Sequence, residues 1–374
     1  MSMVSNRPKI LIFSTAYLPL IGGAEIAIKE ITDRWPDCDF DLVTAKLRPG
    51  LPSLEKIGAV TVYRLGFGWS LDKFWLAVVG AAFASKLHRQ NNYDVVWAMM
   101  ASFGGLAAVL FKQKFPAVKY LLSLQEGDEL SRPTKKAFLI KKWWSNIFKL
   151  ADIIQVISSY LAEWAKTENP SAKVMVIPNG VDLAGYNFRP KTWSLGAKKL
   201  VTTSRLAHKN GLDLVIKALP LLPADITFHI AGMGEEENKL RGLATKLGVA
   251  DRVIFHGLVA RENLPSFLMA GDIFIRPSRS EGLGNSFLEA MAVGLPIVAP
   301  LVGGITDFLV DKETGFVIKP ESPASIAEVV KYVLEEENKT EVLGVTQTAR
   351  ELVVDRFDWT KISQQFRELF ESII

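Results

Sequence analysis

The sequence predicts an α/β protein of two successive domains, each a parallel sheet flanked by helices. Three observations carry that expectation. Short apolar runs alternate with stretches of helical length along the chain, as strands buried on both faces and joined by helices do. The alternation stops at 184–197, a polar, poorly periodic stretch behind Pro178–Asn179–Gly180, and then restarts. The 374 residues are also enough for two cores of ordinary size. Two such halves in succession are expected to turn the ends of their sheets toward each other across a cleft, because open α/β sheets bind ligands outside the carboxyl ends of their strands.

The first strand is expected at 9–13. Arg7 and Lys9 ahead of Ile10–Leu11–Ile12–Phe13 superficially look like a secretory leader, but the run breaks at Ser14, too short for one. Gly22–Gly23–Ala24–Glu25 then opens an amphipathic helix through Ile26, Ile28 and Ile31. Strand, glycine loop and helix have the form of a phosphate-binding turn, and an ordinary tight turn explains a bare Gly–Gly about as well. Strands are expected next at 41–44, 60–63, 95–97, 120–124 and 153–157. Between the last two, residues 135–149 mix lysines with Trp143, Trp144 and Phe148 on a helix. Such a helix either packs its apolar face on the core with lysines in water or lies on an anionic membrane surface. Past the boundary, strands are expected at 200–203, 227–231, 253–255, 273–275, 296–299 and 315–318, and an amphipathic helix at 359–370.

Composition narrows the classes. Hydrophobic residues at 49% and charged ones at 22% describe a globular chain, not a disordered one. A net charge of +4 suits anionic small molecules or an anionic membrane surface, but is too weak to argue for nucleic acid without a motif, and none is present. A lone Cys38 excludes an intrachain disulfide and fits a reducing cytoplasmic setting. Four scattered histidines without Cys/His spacing give no metal site to propose. The longest apolar runs, 74–84 and 103–111, fall short of the roughly 20 residues of a spanning helix, so the protein is expected to be soluble or to rest on a surface.

Two strings carry chemistry. Arg276–Pro277–Ser278–Arg279–Ser280–Glu281–Gly282–Leu283–Gly284 follows a buried strand and leads into a helix through Phe287, Leu288 and Met291. Gly282 and Gly284 let backbone approach a ligand, and the helix start offers N–H groups to anything anionic or hydroxyl-rich. Glu281 and Glu289, seven residues apart, are then near enough to face one ligand, although Ser286 to Glu289 also reads as a capping box. The second string, Ser204–Arg205–Leu206–Ala207–His208–Lys209–Asn210–Gly211, places two cations in a loop at a helix N-terminus that Asn210 is expected to cap, an anion site by position. Two solvated surface cations would read the same way.

Glu281–Gly–x–Gly284 followed by Phe287–Leu–Glu289–Ala–Met–Ala–x–Gly294–x–Pro296 resembles the Glu-x7-Glu motif of retaining glycosyltransferases of family 4, which have the GT-B fold of two Rossmann-like domains. The resemblance extends to Gly22–Gly23–x–Glu25, 151–158, Ile177–Pro–Asn–Gly–Val181, the Arg205/Lys209 string and Gly303–Gly304. It implies an acceptor-binding domain over 1–183 with a C-terminal helix at about 358–374 packing back on it, and a nucleotide-sugar-binding domain over 190–355. It further implies Glu281 as a sugar contact, Glu289 as a ribose contact, Arg205 and Lys209 as the diphosphate site, and Gly22, Gly23, Gly282, Leu283 and Gly284 around the donor. Gly232 and Val259 fall where the family places the base, and simple turns explain them nearly as well.

Two departures stand out. Many members carry a His after the fourth strand of the first domain, where this chain has Gln125–Glu126–Gly127–Asp128, and the usual Gly–Gly–x–Pro–Glu is Gly303–Gly304–Ile305–Thr306–Asp307. The implied activity is metal-independent, cofactor-free transfer of a sugar from a UDP- or GDP-linked donor to a glycan or lipid-linked hydroxyl, with Gln125 and Asp128 near the chemistry. Such a protein would be cytoplasmic or peripheral on the inner membrane face, with 135–149 as its membrane contact. The rivals are an epimerase or hydrolase with Glu126 or Asp128 as base, and a non-catalytic sugar-nucleotide sensor.

Overall fold

The computed structural model describes residues 7–127, 138–189 and 198–374, with only the backbone of 138–142. The chain forms two compact units, one of Met1–Glu126, Leu130–Asn179 and Trp359–Ile374, the other of Gly127–Glu129 and Gly180–Asp358.

The first unit holds an eight-stranded sheet among the described residues: β1 (Lys9–Phe13), β2 (Asp39–Ala45), β3 (Leu54–Ile57), β4 (Val60–Leu65), β5 (Val95–Met99), β6 (Lys119–Leu124), β7 (Ile153–Val156) and β8 (Val174–Val176). The spatial order is β3-β4-β2-β1-β5-β6-β7-β8. Every pairing is parallel except β3 on β4. The central strands are apolar throughout because helices cover both faces, and Ile10, Leu11, Ile12 and Phe13 are fully buried. The helix Trp359–Glu371 contributes Trp359, Ile362, Phe366, Leu369 and Phe370 to this unit's core. There Phe370 meets Trp35 and Trp97 edge-on, at 5.3 and 5.4 Å between ring centroids, and Trp35 Nε1 donates to Ser363 Oγ at 2.9 Å.

The edge strands β3 and β8 are additions to the sequence expectation. Leu54–Glu55–Lys56–Ile57 alternates exposed and half-buried positions and carries too little apolar character to be read as a strand alone. The helix Phe138–Lys149 forms as expected, with Ile147 and Phe148 fully buried, Phe148 edge-on to Trp164, and Trp143 exposed. Lys135, Lys136 and the side chains of Lys141 and Lys142 lie outside the described residues.

The second unit holds β9 (Lys198–Thr203), β10 (Ile226–Ala231), β11 (Val253–Gly257), β12 (Ile273–Ile275), β13 (Ile297–Ala299) and β14 (Phe316–Val317), all parallel in the order β11-β10-β9-β12-β13-β14. Neighbouring β9 and β12 are in register at Val201 and Phe274, so the loops that leave their carboxyl ends, 204–211 and 276–284, start side by side. Among the described residues no helix is long and apolar enough to cross a membrane.

Candidate active site

The loop that carries Lys209 is fastened to the loop that carries Glu281. Gly211 has φ +66°, and a Cβ there would sit 2.0 Å from Pro277 O, so only glycine lets these backbones meet. Arg279 N donates to Lys209 O (2.6 Å) and its Nη1 to His208 O (2.7 Å). The same guanidinium forks onto Asp213 through Nη1–Oδ1 at 2.8 Å and Nη2–Oδ2 at 3.1 Å. Burial works against the Asp213 carboxylate, and Arg279 and Lys217 together outweigh it and hold the carboxyl below the usual range. Asn210 does not cap the helix Leu212–Ala218 as expected. The cap position is Gly211 in the left-handed region, and Asn210 Nδ2 turns back to donate to Arg205 O at 2.5 Å.

Lys209 and Glu281 converge on Gly127. Lys209 Nζ donates to Gly127 O at 2.7 Å. A Cβ on Gly127 would stand 3.0 Å from Lys209 Nζ, 3.4 Å from Glu281 Oε1 and 3.5 Å from Gly282 N. An ammonium, a carboxylate and a backbone amide thus border one glycine-lined spot. Arg205 begins the same loop and is exposed, with its carbonyl taken by Ala207 N and Asn210 Nδ2.

Glu281 is held by partners the sequence does not announce. Arg276, 5% exposed, donates from Nη2 to Glu281 Oε2 and from Nη1 to Ser286 Oγ, both at 2.6 Å, while its guanidinium lies 4.3 Å above the Phe287 ring. Burial pulls the Arg276 pKa down and Glu281 and Glu289 push it back. Glu281 O accepts Gly304 N at 3.0 Å, and Gly303, at φ +52°, passes so close that a Cβ would lie 2.0 Å from that oxygen. Both the carboxylate and the backbone of Glu281 are therefore fixed before any ligand arrives.

The helix Asn285–Val293 starts from Gly284 (φ +91°) with no side-chain cap. The capping box is thus corrected, since Ser286 lies inside the helix and takes Arg276 instead. That frees Glu289 from a capping role. Dehydration pushes its pKa up to about 7 against the pull of Arg261, Tyr186 and Arg276. Leu283 is 1% exposed, so only its backbone is available to a ligand. Gly232 is required by packing: at φ +146° its Cβ would overlap Ser204 O at 1.8 Å, and its N–H donates to Gly257 O at 2.7 Å. Val259 follows two residues later, half-buried.

In the first unit, Gly22 precedes the helix Gly23–Thr32, and the Glu25 carboxylate already stands at that helix start, 2.5 Å from where a Gly22 Cβ would be. Burial raises the Glu25 pKa against hydrogen bonds from its own and the Gly22 backbone. Gln125 Oε1 accepts Asn179 Nδ2 at 2.8 Å, while its buried Nε2 makes no hydrogen bond among the described residues. Glu126 Oε1 accepts Ala101 N at 2.7 Å. Asp128 lies outside the described residues.

The family model described as Glycosyltransferase Family 4 matches residues 21–184, and that described as Glycosyl transferases group 1 matches 187–350. A GDP-mannose-dependent alpha-(1-6)-phosphatidylinositol monomannoside mannosyltransferase of Mycobacterium tuberculosis is 31% identical over 305 residues, 76% of this chain and 77% of the relative. The chain belongs to glycosyltransferase family 4. The family-4 enzyme also shares its fold with a sucrose-phosphate synthase of Thermosynechococcus elongatus, at TM-score 0.85 and 19% identity over 98% of this chain and 99% of that one. The Anabaena protein HepE in complex with UDP and glucose aligns at TM-score 0.76 and 22% identity over 98% and 100% of the two chains. The expected GT-B fold of this glycosyltransferase is therefore observed.

Arg276, Arg279 and the Gly303–Gly304 contact are what sequence reasoning missed in the glycosyltransferase. One signal was present: Arg276 is a charge set directly against the wholly buried run Ile273–Phe274–Ile275, which is costly unless it is paired.

Proposed function

We propose that the protein transfers a hexose from a nucleoside-diphosphate sugar to a hydroxyl of a lipid-linked or glycan acceptor, with retention at the anomeric carbon. The convergence of Lys209 and Glu281 beside Gly127 carries this reading. The ammonium meets charge that builds on the departing diphosphate, with Arg205 as its partner, and the carboxylate holds a hydroxyl of the sugar. The acceptor oxygen bonds to the anomeric carbon on the face from which the diphosphate leaves, the anomeric C–O bond breaks, and the acceptor proton passes to a phosphate oxygen. Glu289 takes the ribose diol, backbone near Gly232 and Val259 borders the base, and Gln125 and Asp128 attend the sugar and acceptor. With two cations in this role no metal is required, and EDTA should leave the rate unchanged.

GDP-mannose is the first donor to test, since the M. tuberculosis relative and a Corynebacterium glutamicum relative, 29% identical over 394 residues, are both named as GDP-mannose-dependent. Their names also carry phosphatidylinositol monomannoside, which supports a glycolipid acceptor. Lys209→Met should lower kcat by about tenfold to a hundredfold, as a charge-assisted hydrogen bond contributes about 1.5–3 kcal/mol. Product analysis by NMR decides the rest. An inverted linkage ends the retaining assignment, and free sugar released without any acceptor product identifies a hydrolase instead.

A further inference from the structure

The first unit displays a cluster of large apolar side chains that the transfer chemistry does not use. Phe67 (73% exposed), Trp69 (65%), Leu71, Phe74, Trp75 and Val78 all stand in solvent. Phe67 lies 6.5 Å from Trp69 and 6.3 Å from Trp75 between ring centroids, and Phe74, beside Trp75 in the chain, is edge-on to Phe103 at 4.8 Å. A patch of this kind on a folded domain marks a site of association.

The patch is built, not left over. The Asp72 carboxylate, 4% exposed, accepts the N–H groups of Phe67 (2.7 Å), Gly68 (2.7 Å) and Trp69 (3.0 Å) through one oxygen, Oδ2. Gly68 at φ +100° lies against the backbone of Arg48 and Pro49, where a Cβ would come within 2.8 Å of Pro49 Cα. The turn that presents Phe67 and Trp69 is thus fixed from inside, so little conformational freedom remains to be lost on binding. Three cations lie beside it. Lys73 Nζ lies 5.5 and 5.7 Å from the Phe74 and Phe103 ring centroids, Arg48 is exposed beside Gly68, and Lys46 acts on Asp72. The carboxylate of the turn itself faces inward.

Its place in the fold adds a direction. Phe67 and Trp69 follow the carboxyl end of β4, and Phe103 follows the carboxyl end of β5. Next to Phe103, Gly104 N donates to Thr15 Oγ1, in the loop that leaves β1. The patch therefore borders the end of the sheet at which open α/β folds bind substrate.

We propose that this surface, centred on Phe67, Trp69 and Trp75, docks the enzyme on an anionic lipid bilayer. Rings with indole N–H groups seat at the headgroup level, and the cations beside them meet anionic lipid. This contact is distinct from the helix Phe138–Lys149, whose Ile147 and Phe148 are used in the core. The inference does not depend on the identity of donor or acceptor, since it is read by binding alone.

The test is co-sedimentation of the full chain with phosphatidylcholine vesicles, with and without phosphatidylglycerol, together with sedimentation velocity in the absence of lipid. The expected result is binding to the anionic vesicles that weakens with salt. Trp69→Ser/Trp75→Ser should weaken it by roughly tenfold or more with unchanged circular dichroism, and Arg48→Gln/Lys73→Gln should reduce its salt dependence. Trp143→Ser, on the other helix, should bind as the parent does. Absence of binding at low salt, or parental binding by Trp69→Ser/Trp75→Ser, overturns the proposal. So does a lipid-indifferent dimer that these substitutions dissociate, which would assign the patch to a protein interface.

Discussion

Arg276 and Glu281 form an ion pair with both side chains at least 88% shielded from solvent, so its removal from one side leaves a charge without compensation. Arg276→Met should therefore cost about 3–5 kcal/mol in urea unfolding, whereas Arg276→Lys keeps the charge but loses the fork that reaches Glu281 and Ser286 together. Under the proposed mechanism Arg276→Lys should lower kcat with little change in affinity for the free nucleoside diphosphate. Equal losses in both would show Arg276 acting on the fold alone. Glu289 gives a pH dependence with a definite sign. Its pKa rises from 4.5 to about 7 in the folded state, so between those values the native chain holds a proton that the unfolded chain has released. Its contribution is complete below pH 4.5 and is lost as pH rises through 7, by about 3 kcal/mol at most. Glu289→Gln should remove that part of the decline between pH 5 and 8; urea-unfolding profiles that stay parallel across that range would contradict it.

At the scale of elements, the site is two loops locked together by main-chain contacts that only glycine permits. Gly303→Ala must displace the Glu281 carbonyl from a residue at φ +52°. It should cost more than about 1 kcal/mol in thermal unfolding and lower transfer without altering secondary structure. The strands behind these loops were legible in the sequence because a strand covered on both faces is written as an unbroken apolar run, as in Ile273–Ile275 and Val95–Met99. The edges β3 and β8 were not, since none of their residues is buried and nothing then requires an unbroken apolar run to mark them. In the site, Lys209, Glu281 and Glu289 were marked by residue type and spacing. The contacts that aim them were not, because Gly303 on Glu281 and Gly211 on Pro277 join segments distant in sequence through backbone atoms that look alike in every residue. Asn210 and Ser286 misled for a local reason: each has the chemistry of a cap, but a carbonyl or a guanidinium of the loop leading up to it claimed it first.

At the scale of the molecule, the first unit is closed by the segment Trp359–Ile374. Trp359, Ile362, Phe366, Leu369 and Phe370 are all at most 2% exposed in its core. Full burial of each such side chain contributes about 1.5–3 kcal/mol, so together they rival the whole stability of a domain. Deletion of 359–374 should leave the first unit open to limited proteolysis while fragments of the second persist; a first unit equally resistant without the helix would refute this.

The chain passes from the first unit at Asn179 and returns at Trp359, with Val181 and Asp358 bridged side by side where it does so. This has a consequence during synthesis. On the ribosome the second unit is complete while the earlier-made half still waits, with Trp35 and Trp97 uncovered, for the helix Trp359–Glu371 to emerge. Quality control of the nascent protein is thereby tied to residues 359–374, and a premature stop ahead of them would expose the oldest part of the molecule.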